Sequence, residues 1–246
     1  MPVSHRKDAF AYENLERSDF IHGLVNGLRI QLTECRRVGV GGLPPDRFHF
    51  DFVMSLYSCE TLRECIAAAR AHYPVYPCSY PHYTLTMAHG RRRLINAQEN
   101  KRIAWRHGIT VEIEPPMIKQ SMTNLPQTMI MWPGIKLLAC VKDSTKDKNI
   151  INGMEYEVLA FTDTDVTLRK LHPALPAKNA EPFTLTHDDC ALQMRLQHAL
   201  CYYSTQGRTL IDGRIRLMDT DHAFFTKRHL IVGLSRTRRG SDVEIK

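Results

Sequence analysis

Several things are missing from this 246-residue chain, and each absence removes a class of function. No G-x-x-x-x-G-K-[ST] stretch occurs, so the chain has no phosphate loop whose backbone amides cradle a nucleotide. Residues 39–42 (GVGG) are glycine-rich but lack the following Lys-Ser/Thr, and no Asp-Glu pair closes an apolar strand to hold a magnesium ion. No apolar run approaches the ~20 residues of a membrane span, and the first twenty residues are too polar for a secretory leader. The seven cysteines include no CxxC pair, a pattern that suits reduced thiols in a soluble intracellular protein. Zinc finds one local candidate, His187-Asp188-Asp189-Cys190, and turn chemistry explains those residues better, so no metal is expected. There are no internal repeats and no low-complexity tracts.

What is present is an ordinary globular composition, 43% hydrophobic and 24% charged, with a formal net charge of +7. That excess favours a polyanionic partner or solvated basic faces. After a polar lead-in (1–27), residues 28–35 (LRIQLTEC) alternate as a strand, and residues 39–46 read as a loop. Thr61 and Glu64 form a capping-box pattern for a helix through His72, with Leu62, Ile66 and Ala69 on one face. A strand at 83–88 leads into a helix at about 92–107 that stops at Gly108.

The pattern changes after Pro133. IKLLACV, EYEVLAF, DVTLRKL and PFTLT are short β-runs, with turns at Asn152-Gly153 and at 162–165. They predict a small β-barrel of the SH3-like sort within residues 134–187, inserted in an α/β domain formed by 28–133 and 188–246. Strands are expected near 198–203 and 229–234.

Two stretches near the C-terminus carry chemistry. Thr205-Gln206-Gly207 follows the apolar run LQHALCYY, which places a glycine turn at a strand's C-terminal edge, where α/β sheets bind ligands. Val232-Gly233-Leu234-Ser235-Arg236 ends in a guanidinium, a group that stays charged and recognises phosphate bidentately. Thr237, Arg238 and Arg239 follow. A third basic region, Arg91, Arg92, Arg93, Lys101, Arg102 and Arg106, faces only Glu99 as an acid, with Trp105, His89 and Tyr203 as candidate platforms for a base.

Tyr203-Ser204-Thr205-Gln206-Gly207-Arg208-Thr209 and Leu230-Ile231-Val232-Gly233-Leu234-Ser235-Arg236 resemble motifs V and VI of superfamily 1 helicases, and the order of parts resembles the RecD-like branch. Leu32-Thr33-Glu34-Cys35-Arg36-Arg37 looks like motif IV, Ala88-His89-Gly90 with Asn96 and Asn100 looks like the segment that touches the DNA backbone, and 134–159 is similar to the barrel insertion. The resemblance implies the second RecA-like domain of such a motor: an α/β parallel-sheet domain of the P-loop type without its own phosphate loop, bearing an SH3-like insertion. It implies that Arg37 (or Arg36) and Arg236 reach the γ-phosphate, that Gln206 and Gly207 couple that site to the strand, and that His89, Arg91, Arg92, Asn96, Ser204 and Thr205 line the strand path. ATP and Mg²⁺ would then be held by an N-terminal RecA-like domain or companion chain, and single-stranded DNA, or RNA, would be the partner. The family's His-Lys pair before its S-Q-G is replaced by Tyr203 and Ser204, with Thr205 for the Ser, which removes one charge from the track. Without a phosphate loop the isolated chain is not expected to hydrolyse ATP. It is either one part of a longer or split helicase or a degenerate descendant that retains nucleic-acid binding.

Overall fold

The computed structural model describes residues 46–73, 75, 80–109, 111–116, 125–141, 150–171, 181–208, 210 and 213–246. The strand expected at 28–35, most of the 39–46 loop, and both Arg36 and Arg37 lie outside the described residues. In chain order the described elements are α1 (Arg47–Ser55), α2 (Leu62–His72), β1 (Tyr83–Thr86), α3 (His89–Arg106), β2 (Glu112–Ile113), β3 (Met129–Ile130), β4 (Lys136–Ala139), β5 (Glu155–Phe161), β6 (Asp165–Leu171) and β7 (Phe183–Thr186). They continue with α4 (His187–Gln193), β8 (Met194–Leu196), β9 (Ala199–Cys201), β10 (Ile215–Leu217), α5 (Lys227–Leu234) and β11 (Val243–Ile245). The chain divides into two compact units, one of Met1–Leu85 with Tyr202–Lys246 and one of Thr86–Cys201.

In the first unit α2 starts as the sequence predicts. Thr61 Oγ1 accepts from the Glu64 amide and the Glu64 carboxylate accepts from the Thr61 amide, both at 3.2 Å. Its buried residues are Cys65 and Ala69, so the face is turned slightly from the expected one. Strands β1, β10 and β11 pair in parallel, Tyr83 opposite Ile215 and Ile215 opposite Val243. Tyr83, Leu85, Ile215, Leu217 and Val243 are buried, as parallel strands covered on both faces require. The fold is mixed α/β with a parallel sheet.

The strand expected at 229–234 is a helix instead, α5. Five consecutive apolar residues fit a buried strand or a buried helix equally well by pattern alone. The flanks decide it, because the Thr226 amide donates to His229 Nδ1 at 3.1 Å and closes the first turn. A Cβ on Gly233 would lie 2.8 Å from Leu217 Cδ2 and 3.0 Å from the Tyr202 ring, so glycine is what lets α5 settle on β10.

In the second unit α3 begins at His89, three residues earlier than predicted, with the Arg92 amide donating to the Ala88 carbonyl at 3.0 Å. Its buried face is the i, i+4 stripe Arg92, Asn96, Asn100 and Ala104. Asn100 donates to the Ile130 carbonyl at 2.9 Å and accepts from its amide at 2.8 Å, holding the β2–β3 ribbon. An antiparallel sheet of order β7-β6-β5-β4-β8 follows. Strands β5 and β6, expected as β-runs, begin with period-two burial that places Tyr156, Val158, Val166 and Leu168 in a core shared with Leu137, Met194 and Leu196. Both predicted turns are present, the second closed by the Thr162 amide on the Asp165 carbonyl at 2.8 Å. The sheet draws its fifth strand from Met194–Leu196, beyond residue 187 where the insertion was expected to end.

The run LQHALCYY, expected as one strand, is broken into β8, β9 and a 3₁₀ turn at Tyr202–Thr205. His187-Asp188-Asp189-Cys190 forms the first turn of α4, where both acids favour the helix N-terminus and Thr186 Oγ1 accepts from the Asp189 amide at 3.2 Å. Among the described residues no helix is long and apolar enough to cross a membrane.

Candidate functional site

The Gln206-Gly207 turn and the Ser235-Arg236 pair are physically joined. Thr205 Oγ1 donates to the Tyr202 carbonyl at 2.8 Å, the Gln206 amide to the Tyr203 carbonyl at 3.3 Å, and the Arg208 amide to the Thr205 carbonyl at 3.1 Å. Gly207 sits at φ +78°, with nothing within 4 Å of where a Cβ would be, so the residue serves backbone conformation rather than space. Arg236 follows the end of α5 and is only 7% exposed. Its Nη1 donates to the carbonyls of Thr205 (3.1 Å) and Arg208 (2.9 Å), its Nε to Val232 (2.9 Å) and its Nη2 to Ser235 Oγ (2.8 Å). The Leu210 amide completes the link by donating to the Arg236 carbonyl at 2.9 Å. A cation beside the last carbonyls of a helix is electrostatically well placed. A phosphate that drew this side chain away would cost the Thr205 and Arg208 carbonyls their charged donor.

Around the turn, exposure sorts the residues. Thr205 is buried, Ser204 and Gln206 are half-buried, and Gly207 and Tyr203 face solvent. Beneath it, Tyr202 is almost completely buried and its hydroxyl donates to the Met218 carbonyl at 2.9 Å. Burial first, and Asp219 second, hold that phenol well above its ordinary range, so it stays neutral.

The second unit holds the other candidates, on α3. His89 is exposed at the first position of the helix, with Cys201 Sγ 3.5 Å from its Nδ1. Its imidazole is pulled below its ordinary pKa, by partial burial first and the Arg92 charge second. Arg91 is exposed. Arg92, expected on the strand path, is buried at 4% exposure, and burial lowers its guanidinium's pKa. Asn96 is wholly buried, and its amide accepts from the Ala199 amide at 2.7 Å while donating to the carbonyls of Leu196 and Ala199 at 3.1 Å. It therefore bridges the break between β8 and β9. Arg92 and Asn96, both expected on the strand path, lie on the inward stripe of α3.

Sequence reasoning missed Arg195, which is 1% exposed and donates through Nη1 to the carbonyls of Ala191, Leu192 and Met194 at 3.1, 2.8 and 2.7 Å. Nothing in the run MRL marks it as a helix cap. It also missed His49, buried with Nδ1 3.0 Å from the Tyr73 hydroxyl and Nε2 3.2 Å from Thr237 Oγ1. Among the described residues no group of three or more His, Cys, Asp or Glu stands together as a metal site.

The mixed α/β fold with its parallel sheet matches the RecA-like domain fold. Similar solved structures are Pif1 helicases. One is the Pif1 helicase from Bacteroides in complex with ADP-AlF3 and single-stranded DNA, with a TM-score of 0.56 and 17% identity over 88% of this chain and 51% of that one. A second is a Pif1 helicase from a study of unwinding at forked double-stranded DNA by two coordinating Pif1 helicases (TM-score 0.54, 16% identity, 88% and 49% covered). A third is Bacteroides Pif1 bound to single-stranded DNA (0.50, 16%, 88% and 51%). The chain spans about half the length of these proteins. No protein-family model matches the sequence, and no curated protein does.

Proposed function

We propose that this chain is the C-terminal part of an ATP-dependent superfamily 1 DNA helicase of the RecD-like branch, acting on single-stranded DNA. In this reading residues 28–133 and 188–246 form the second RecA-like domain and 134–187 the SH3-like insertion. ATP and Mg²⁺ belong to an N-terminal RecA-like domain or companion chain, and Arg37, Arg36 and Arg236 approach the nucleotide's phosphates from this side. The residues open to a strand are exposed Tyr203 and Gly207 with half-buried Ser204 and Gln206 in the first unit, and exposed His89 and Arg91 in the second.

The observation that carries the proposal is the Arg236 clasp. If a phosphate draws Arg236 away, the carbonyls of Thr205 and Arg208 lose their charged donor and the turn is loosened. Nucleotide state and strand contact are then linked through one side chain, and catalysis is positioning and charge stabilisation rather than covalent chemistry. The fold shared with Pif1 helicases supports the assignment. A second reading is a helicase-derived nucleic-acid-binding protein without turnover.

Three measurements separate these readings. The chain alone should bind a single-stranded DNA oligomer and show no ATPase turnover with it. Robust turnover by the chain alone would sink the proposed division of labour. Adding a candidate N-terminal RecA-like domain in trans should restore ATPase activity, and Arg236→Lys should lower it. DNA binding with no restoration by any such domain favours the second reading, and tighter binding to RNA of the same sequence reassigns the substrate.

A further inference from the structure

Six basic residues lie on α3, but the fold uses them differently. Arg92 is buried, and Arg102 is held by Glu99 at 2.6 Å, which also neutralises the helix's one acid. The opposite face is a line of exposed residues at helical spacing: Leu94 (57% exposed), Lys101 and Trp105 (82% exposed). It runs about 16 Å from Leu94 to Trp105 at 1.5 Å per residue. Beside it lies a groove of about 660 Å³, walled by α3 through Arg93, Leu94 and Lys101 and by the β2–β3 side through Pro115, Pro126 and Gln127. Gln127 is the unusual member, because its Oε1 and Nε2 are both buried with no hydrogen-bond partner among the described residues. A buried amide left unsatisfied costs stability, and a ligand edge carrying both a donor and an acceptor would relieve that cost.

We propose that this groove is a second contact for single-stranded nucleic acid, with phosphates on Lys101 and Arg93, a base stacked on Trp105, and a polar edge on the Gln127 amide. It rests on the nucleic-acid reading above but uses none of the residues named there. Charge selects a polyanion, since among the described residues Glu112 is the only acid lining the groove and two cations oppose it. The exposed indole selects a polynucleotide over an acidic peptide, because bases stack on aromatic faces whatever their sequence, whereas a carboxylate gains nothing from the ring.

The full chain, titrated with an oligo-dT strand, tests this. Trp105 is the exposed one of the chain's two tryptophans, while Trp132 packs against the second unit's core. Wild-type emission should be quenched on binding, and Trp105→Phe should lose most of that quenching. Trp105→Ala should weaken affinity on the order of tenfold, and Lys101→Ala should flatten the log–log salt dependence by about 0.7. Both side chains face solvent, so unchanged circular dichroism and melting should accompany these losses. If wild type binds oligo-dT while Trp105→Phe keeps the quenching and Lys101→Ala keeps the slope, the groove is overturned and the nucleic-acid reading survives. If wild type does not bind oligo-dT, both fall. If the same variants lose affinity for poly-glutamate and not for oligo-dT, the occupant is an acidic protein segment and the proposal is overturned.

Discussion

Arg195 and Arg236 are buried arginines just beyond helix ends, and both spend their donors on main-chain carbonyls. They hold different things. The Nη1 bonds of Arg195 to Ala191, Leu192 and Met194 all fall within four residues and finish its own helix. Arg236 bonds Val232 locally but also Thr205 and Arg208, 31 and 28 residues away. The first is a cap and the second a clasp between two segments. The same guanidinium chemistry becomes a candidate functional device only when its partners lie on a different element, because only then can its release move something.

The largest expected effect comes from removing the clasp. Arg236→Ala should destabilise the first unit by about 3 kcal/mol, since the carbonyls of Thr205 and Arg208 lose their charged donor in a buried site. Amide hydrogen exchange should rise both at the end of α5 and around Gln206. A rise confined to α5 would make Arg236 a cap like Arg195. Arg195→Ala should cost about 2 kcal/mol, with faster exchange only along α4 and β8.

A pH titration sharpens the contrast between units. Burial, opposed by Glu99, pushes the His198 imidazole of the second unit down to about 4. The unfolded chain, with its histidine near 6.5, takes up the proton first. This group's stabilisation is therefore complete above about pH 6.5 and is lost as pH falls toward 4. His198→Gln should flatten the fall in melting temperature across that window, and an unchanged slope would assign the acid sensitivity elsewhere. The smallest effect is at the turn. Gly207→Ala should cost about 1 kcal/mol from the left-handed backbone alone, with no steric penalty, as a thermal melt would show.

Elements with local signals were legible in the sequence. Helix α2 carries its own capping box, and β5 and β6 carry a period-two pattern over a core. Helix α5 was misread because its apolar run has no period and its box uses His229 where Glu or Gln is usual. The break between β8 and β9 has no local signal at all, being held by Asn96 from about a hundred residues earlier. The candidate site divides in the same way. The residue types of the Gln206 turn and of Arg236 pointed to one region, but the bonds joining them run between distant segments and have no spacing to read. Arg92 was grouped with its exposed neighbours by charge, and charge alone does not tell which face of a helix is buried.

The paired asparagines of α3 have one more consequence. Asn96 grips the β8–β9 corner and Asn100 grips β3, so two stretches of chain about seventy residues apart are gauged against a single helical pitch. Sliding either strand by one residue would leave its asparagine facing the wrong peptide, and inserting one residue between Asn96 and Asn100 would swing one grip about 100° away from the other. The helix thus acts as a ruler, and this unit should accept changes of side chain along α3 far more readily than any change in its length.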